Sequence, residues 1–81
     1  MTAIRSYILI KVEPGSSKQV IGALRKLKDV ISADLVTGLY DAILVVEVTD
    51  MNEIAEFVVN KVSSTPGVAS TVTCLALEVP N

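Results

Sequence analysis

Val36-Thr37-Gly38-Leu39-Tyr40-Asp41-Ala42-Ile43-Leu44-Val45-Val46-Glu47-Val48 is the stretch that decides the fold. Its second part, Ala42 to Val48, is a short apolar run rich in β-branched residues, the signature of a strand. Val30 to Val36 reads as a second strand immediately upstream. The connection Thr37-Gly38-Leu39-Tyr40-Asp41 is short and carries a glycine, so the two strands form an antiparallel hairpin. The remaining segments have to be arranged around that hairpin.

Toward the N-terminus, Arg5 to Val12 alternates Ile8, Ile10 and Val12 with Tyr7, Leu9 and Lys11, which predicts a strand. Glu13-Pro14-Gly15 breaks it. Ser16 and Gln19 then have the spacing of a capping box, in which the serine oxygen accepts from an orphan amide and the glutamine reaches back. A helix is expected from about Ser17, with Val20, Ala23, Leu24 and Leu27 on one face and Lys18, Arg25, Lys26 and Lys28 largely elsewhere. Its basic end suits the negative pole of the helix dipole. Toward the C-terminus, Asp50 and Glu53 form a second capping pair, followed by Ile54, Phe57, Val58 and Val62 on one helical face, so a helix is expected over roughly Met51 to Ser63. Thr65-Pro66-Gly67 is a turn signal. Ser70 to Val79 alternates Thr71, Thr73, Leu75 and Leu77 with Val72, Cys74 and Ala76, a further strand.

The order is strand, capped helix, strand, repeated once in a single domain spanning residues 1–81. That is the α+β, ferredoxin-like βαββαβ sandwich, with a four-stranded antiparallel sheet, two helices on one face and right-handed crossovers.

Composition bears on the other face of that sheet. The chain is 51% apolar and 20% charged, against about 45–50% and about 25% for an average globular chain. A domain this short buries little more than about 60% of its unfolded surface. With Ile8, Ile10, Val12, Leu44, Val46 and Val48 toward the helices, Tyr7, Leu9, Ile43 and Val45 point away; Leu75 and Leu77 join one side or the other depending on register. Exposed apolar patches beyond a few hundred Å² mark interfaces. A homodimer pairing sheet to sheet through Tyr7, Leu9, Ile43, Val45 and Leu75 is therefore expected.

Several function classes are disfavoured. A net charge of −2 with scattered basic residues is not the footprint of a nucleic-acid binder, and the third strand has no aromatic on which an RNA base could stack. The longest aliphatic run, Ala42 to Val46, is far short of the roughly 20 residues of a spanning helix. No leader pattern opens the chain, so a cytoplasmic location is expected. Cys74 is the only cysteine and histidine is absent, so no disulfide within the chain and no structural zinc site is expected, nor any metal or cofactor. Cys74 reads as a small hydrophobe buried in its strand. Iron–sulfur clusters and a CxxC metal carrier are excluded by the same count. Without histidine the commonest general base is missing, and catalysis by Asp41 alone is the weaker reading, so no enzyme is expected.

The connection itself reads two ways. Gly38 permits a positive φ, Tyr40 offers a ring and a hydroxyl, and Asp41 is an acceptor suited to an ammonium group. All are also ordinary turn residues.

Taken together, Val36-Thr37-Gly38, Tyr40-Asp41, the apolar third strand, the Asp50-capped helix, Pro66-Gly67-Val68 and Ser70-Thr71-Val72-Thr73 resemble the effector-binding domain of the Lrp/AsnC regulators, the RAM domain. The resemblance covers essentially the whole chain, from Tyr7-Ile8-Leu9-Ile10 and Pro14-Gly15 to the last strand. It implies a sheet-paired dimer, dimers assembled into a ring, and an amino-acid effector held between dimers. The implied ligand-binding residues are Thr37, Gly38, Leu39, Tyr40 and Asp41, with Thr71 and Thr73 from the same or a neighbouring subunit. Full-length members carry a helix-turn-helix, whereas this sequence starts on its first strand. A stand-alone effector domain is thus expected, unable to contact DNA itself, with a full-length regulator as a candidate partner. Leu39 departs from the polar residue often found at its position. Two rival readings stay open: an ACT-like amino-acid sensor, and a purely structural co-assembly partner.

Overall fold

The computed structural model describes residues 3–79. β1 (Ile4–Val12) runs antiparallel to both β3 (Ala42–Val48) and β4 (Val68–Leu75), and β2 (Val30–Leu35) is antiparallel to β3, giving the sheet order β2-β3-β1-β4. α1 (Ser17–Arg25) joins β1 to β2, and α2 (Met51–Phe57) follows β3. This is the expected βαββαβ sandwich.

Register sorts the side chains. Ile8 lies opposite Leu44, and Ile10 opposite Ala42, on the face beneath the helices. There they form one core with Val46, with Val20 and Leu24 of α1, and with Ile54 and Phe57 of α2. Full burial of an aliphatic side chain contributes roughly 1.5–3 kcal/mol, so the centre of this face carries much of the stability. Tyr7 opposite Val45 and Leu9 opposite Ile43 turn to the other face.

The last strand differs from expectation in phase and extent. It spans Val68–Leu75 rather than Ser70 to Val79, because β1 starts at Ile4 and the Ala76 N–H donates to the Arg5 carbonyl as a final rung. Leu77 and Val79 lie beyond it, exposed. Leu75 is opposite Ser6, which is buried on the helix side, so Leu75 does not belong to the outward face. Val72 opposite Leu9 and Cys74 opposite Tyr7 take that place. Cys74 is consequently exposed rather than buried: on an edge strand its face is set by pairing, not by its apolar character.

The two helix starts also diverge. Asp50 caps α2, its Oδ1 accepting from the Asn52 N–H at 2.8 Å, while Glu53 accepts from the Thr49 hydroxyl at 3.1 Å. The Ser16 side chain makes no cap hydrogen bond. Its backbone, at φ −101° and ψ 1°, is outside the extended region a capping residue adopts. α2 ends in a π-helical turn, Val58–Val62, closed by a Ser63 N–H to Val58 carbonyl bond of 2.8 Å. The hydroxyls of Ser64 and Thr65 donate to the carbonyls of Asn60 and Lys61, each at 2.7 Å, satisfying the end of the helix.

Gly67 locks the start of α1 against the start of β4. Its φ is +98°, its carbonyl accepts from the Glu13 N–H at 2.7 Å, and a Cβ there would lie 2.8 Å from Val20 Cγ2 and 2.9 Å from Ser16 Cβ. Gly67→Ala is expected to lower stability by about 1–3 kcal/mol in urea unfolding, from overpacking and the disfavoured φ together. Adding Val20→Ala should cost less in that background than in the wild type, since it removes one clash. Unchanged stability in Gly67→Ala would refute the close approach.

Candidate functional site at the β2–β3 connection

Thr37 to Asp41 form the tip of the β2–β3 hairpin, closed by the Val36 N–H donating to the Asp41 carbonyl at 2.9 Å. Gly38 has φ +128°, and a Cβ there would meet nothing within 4 Å. Backbone conformation, not a close neighbour, is what requires glycine at this position. Leu39 stands 84% exposed at the tip, Thr37 is exposed, and Tyr40 is half-buried.

Asp41 is the anchor of the connection. Its N–H donates to the Ile10 carbonyl at 2.9 Å, and its Oδ2 accepts from the Val12 N–H at 2.9 Å. The carboxylate therefore completes the β1 edge where β3 has run out. A hydrogen bond of this type contributes about 1.5–3 kcal/mol because the acceptor is charged. Oδ2 is thus already engaged within the chain, which favours the structural reading of this residue and leaves its other oxygen for a ligand.

The register brings Thr71 to the same end of the sheet, opposite Ile10 on the other side of β1. Two strand spacings, about 9–10 Å, separate β3 from β4 across β1. Thr73 is opposite Ile8, one repeat further toward the middle of the strand. Both threonines lie on the helix-side face, where Thr71 is half-buried and Thr73 exposed. One chain thus collects the hairpin tip and Thr71 at one end of the sheet, and leaves Thr73 further along. The Val12 amide is a participant that sequence reading does not reveal. No local pattern marks it, since it lies 29 positions from Asp41.

The described residues also form an open depression of about 200 Å³ elsewhere, lined by Asp29, Glu53, Glu56, Phe57, Asn60 and Lys61. It lies beside α2, away from the hairpin tip. Among the described residues no group of three or more His, Cys, Asp or Glu side chains could hold a metal ion. No helix among them is long and apolar enough to cross a membrane.

On the outward sheet face, Tyr7, Leu9, Ile43, Val45, Val72 and Cys74 form a continuous, largely apolar surface. The Arg5–Glu47 ion pair, at 2.6 Å, closes one end of it. The hydrogen bond to Glu47 holds the Arg5 guanidinium above its ordinary pKa, so it stays charged.

Residues 5–81 match the family described as the Lrp/AsnC ligand binding domain. An uncharacterized HTH-type transcriptional regulator of Pyrococcus abyssi (strain GE5 / Orsay) is 34% identical over 76 residues, which are 94% of this chain and 48% of the relative. The chain spans about half the length of the curated relatives it matches. Among solved structures, a protein of Thermus thermophilus superposes with a TM-score of 0.89 at 28% identity, covering 96% of this chain and 98% of the other. A transcriptional regulator of Neisseria meningitidis, solved as its L-Met complex, superposes with a TM-score of 0.84 at 25% identity, covering 93% of this chain and 50% of that one. With its βαββαβ sheet, its tied hairpin tip and a family match that runs from β1 through the last strand, the chain belongs to the Lrp/AsnC ligand binding domain family.

Proposed function

We propose that this chain is an effector-binding, oligomerising regulatory domain that holds a small molecule, an amino acid, at the hairpin-tip end of its sheet. The observation that carries the reading is the match of residues 5–81 to a ligand-binding domain family. The L-Met complex of the Neisseria meningitidis regulator supports an amino acid as the ligand class. In this reading Thr37, Gly38, Leu39, Tyr40 and Asp41 form one wall, with Thr71 and Thr73 from the same or a neighbouring copy. An amino-acid zwitterion needs an acceptor for its ammonium and donors for its carboxylate, and a carboxylate, hydroxyls and main-chain amides are available at this end.

The wall is open on one side in a single chain: Thr37 and Leu39 are exposed, and the depression among the described residues lies elsewhere. A second copy has to close it. The outward apolar face supports pairing through Tyr7, Leu9, Ile43 and Val45, with Val72 and Cys74 beside them. Dimers assembled into a ring would then place hairpin tips of different copies together. The role is regulatory rather than enzymatic, acting in the cytoplasm on a full-length regulator of the same family as partner. The alternative of a co-assembly partner without ligand is favoured by one observation, the engagement of Asp41 Oδ2 by the Val12 amide.

Isothermal calorimetry and thermal melting with the twenty amino acids distinguish the two. At least one amino acid is expected to bind, and at about 100-fold excess over its Kd to stabilise the fold by about 2.7 kcal/mol. Tyr40→Ala should weaken binding roughly tenfold or more while changing the melting point of the unliganded protein little, in keeping with one lost contact worth about 1.4 kcal/mol. Asp41→Ala should lower both, because the Val12 amide loses its acceptor. A full panel without a binder would contradict effector sensing and leave co-assembly in its place.

A further inference from the structure

The charges of the helix layer are largely segregated, with Lys61 a cation among the acidic set. Lys18, Arg25, Lys26 and Lys28 lie on or just after α1, all exposed, and no acidic residue occurs between Pro14 and Lys28. Asp50, Glu53 and Glu56 lie at the start of α2 and along it, and all three are exposed. Asp29 adds a further carboxylate to the depression beside α2, whose lining includes the largely buried Phe57, with Asn60 and Lys61 completing it.

Among the described residues these opposite charges form no ion pair with each other. Among the described residues the ion pair within 4 Å is Arg5–Glu47, which belongs to the opposite side of the sheet. Arg25 is partly committed, its Nε donating to the Ala33 carbonyl at 3.0 Å. Among the described residues Lys26 and Lys28 have no carboxylate within that distance, and Glu56 has no cation. A surface that carries a patch and its complement side by side is suited to a twofold contact, in which each copy's patch meets the other's complement and every pair is made twice.

We propose that the helix layer is a charge-matched contact between copies of this chain, with Lys26 and Lys28 of one copy set into the acidic depression beside α2 of the other, and reciprocally. The occupant is a second copy because the chain itself carries the complementary charge on the adjoining helix. The contact deepens the oligomeric reading above and rests on it only for the unit being joined. It uses the face opposite the apolar sheet surface, so the two contacts do not compete. Exposed ion pairs are individually worth about 0–1 kcal/mol. The contact therefore has to be weak, cumulative and sensitive to salt, and its charges select register more than they supply affinity.

Sedimentation velocity on the full chain tests this at low and high salt, about 20 mM and about 500 mM, where the Debye length falls from roughly 20 Å to roughly 4 Å. The mass at low salt should exceed that at high salt. Lys26→Glu and Glu56→Lys should each weaken the low-salt association by roughly tenfold or more through like-charge contact. Combining both in one chain, or mixing the two single variants, should recover most of it, whereas a loss caused by misfolding would not be recovered. A mass independent of salt, or a double variant as weak as the singles, would overturn the proposal. The outcomes also separate the two contacts: a two-chain particle at every salt concentration leaves sheet pairing intact and removes the helix contact, while association at low salt that dissociates to single chains at high salt does the reverse.

Discussion

The structure depends on the alternation of side chains along two central strands that are hydrogen-bonded on both sides. β1 lies between β3 and β4, and β3 between β2 and β1. A slip of one residue in either would send Ile8, Ile10, Leu44 and Val46, all fully buried, out of the core and bring Tyr7, Leu9, Ile43 and Val45 under the helices. Register is thereby set by packing on one face. The same alternation leaves an apolar second face with no helix over it, which is the physical reason for expecting association in so short a chain. The fold and the proposed pairing of copies thus rest on one pattern rather than on two separate features.

Element order and the two faces of β1 and β3 are legible in the sequence because periodicity of two is local and strong in those strands. The edge strand is harder. Thr71, Thr73 and Leu75 alternate with Val72 and Cys74 with comparable polarity on both sides, so only the pairing of Ser6 with Leu75 decides which set faces the helices. Cys74 misleads for the same reason, since its chemistry suggests burial and its position on an edge strand exposes it. The capping signature at Ser16 and Gln19 has the right spacing, but the Ser16 backbone lies outside the extended region of a cap and its side chain makes no cap hydrogen bond. The π-helical turn leaves little trace in the sequence, because Val58 and Val62 suit an ordinary helix as well as a widened one.

At the hairpin tip, residue types are informative and roles are not. Asp41 suggests an ammonium acceptor by its charge, yet one of its oxygens is drawn into the backbone ladder of β1. Such an anchor has a functional consequence: it fixes the base of the tip while Leu39 stays exposed. A rigid base and an open apolar tip are what one wall of a pocket between copies requires. In a single chain that wall has no opposite side, so under the proposed function ligand response and assembly are coupled through the same residues.

Whether a second copy covers the outward sheet face is tested most directly by the mass of the folded chain in solution at high salt, where charged contacts are screened. At least two chains per particle are expected for the wild type, in multiples of two where dimers join, and loss of that pairing for Val45→Asp, which places a carboxylate in the middle of that face while leaving the helix-side core intact. A wild-type chain that is folded and monomeric at concentrations well above micromolar would contradict the pairing.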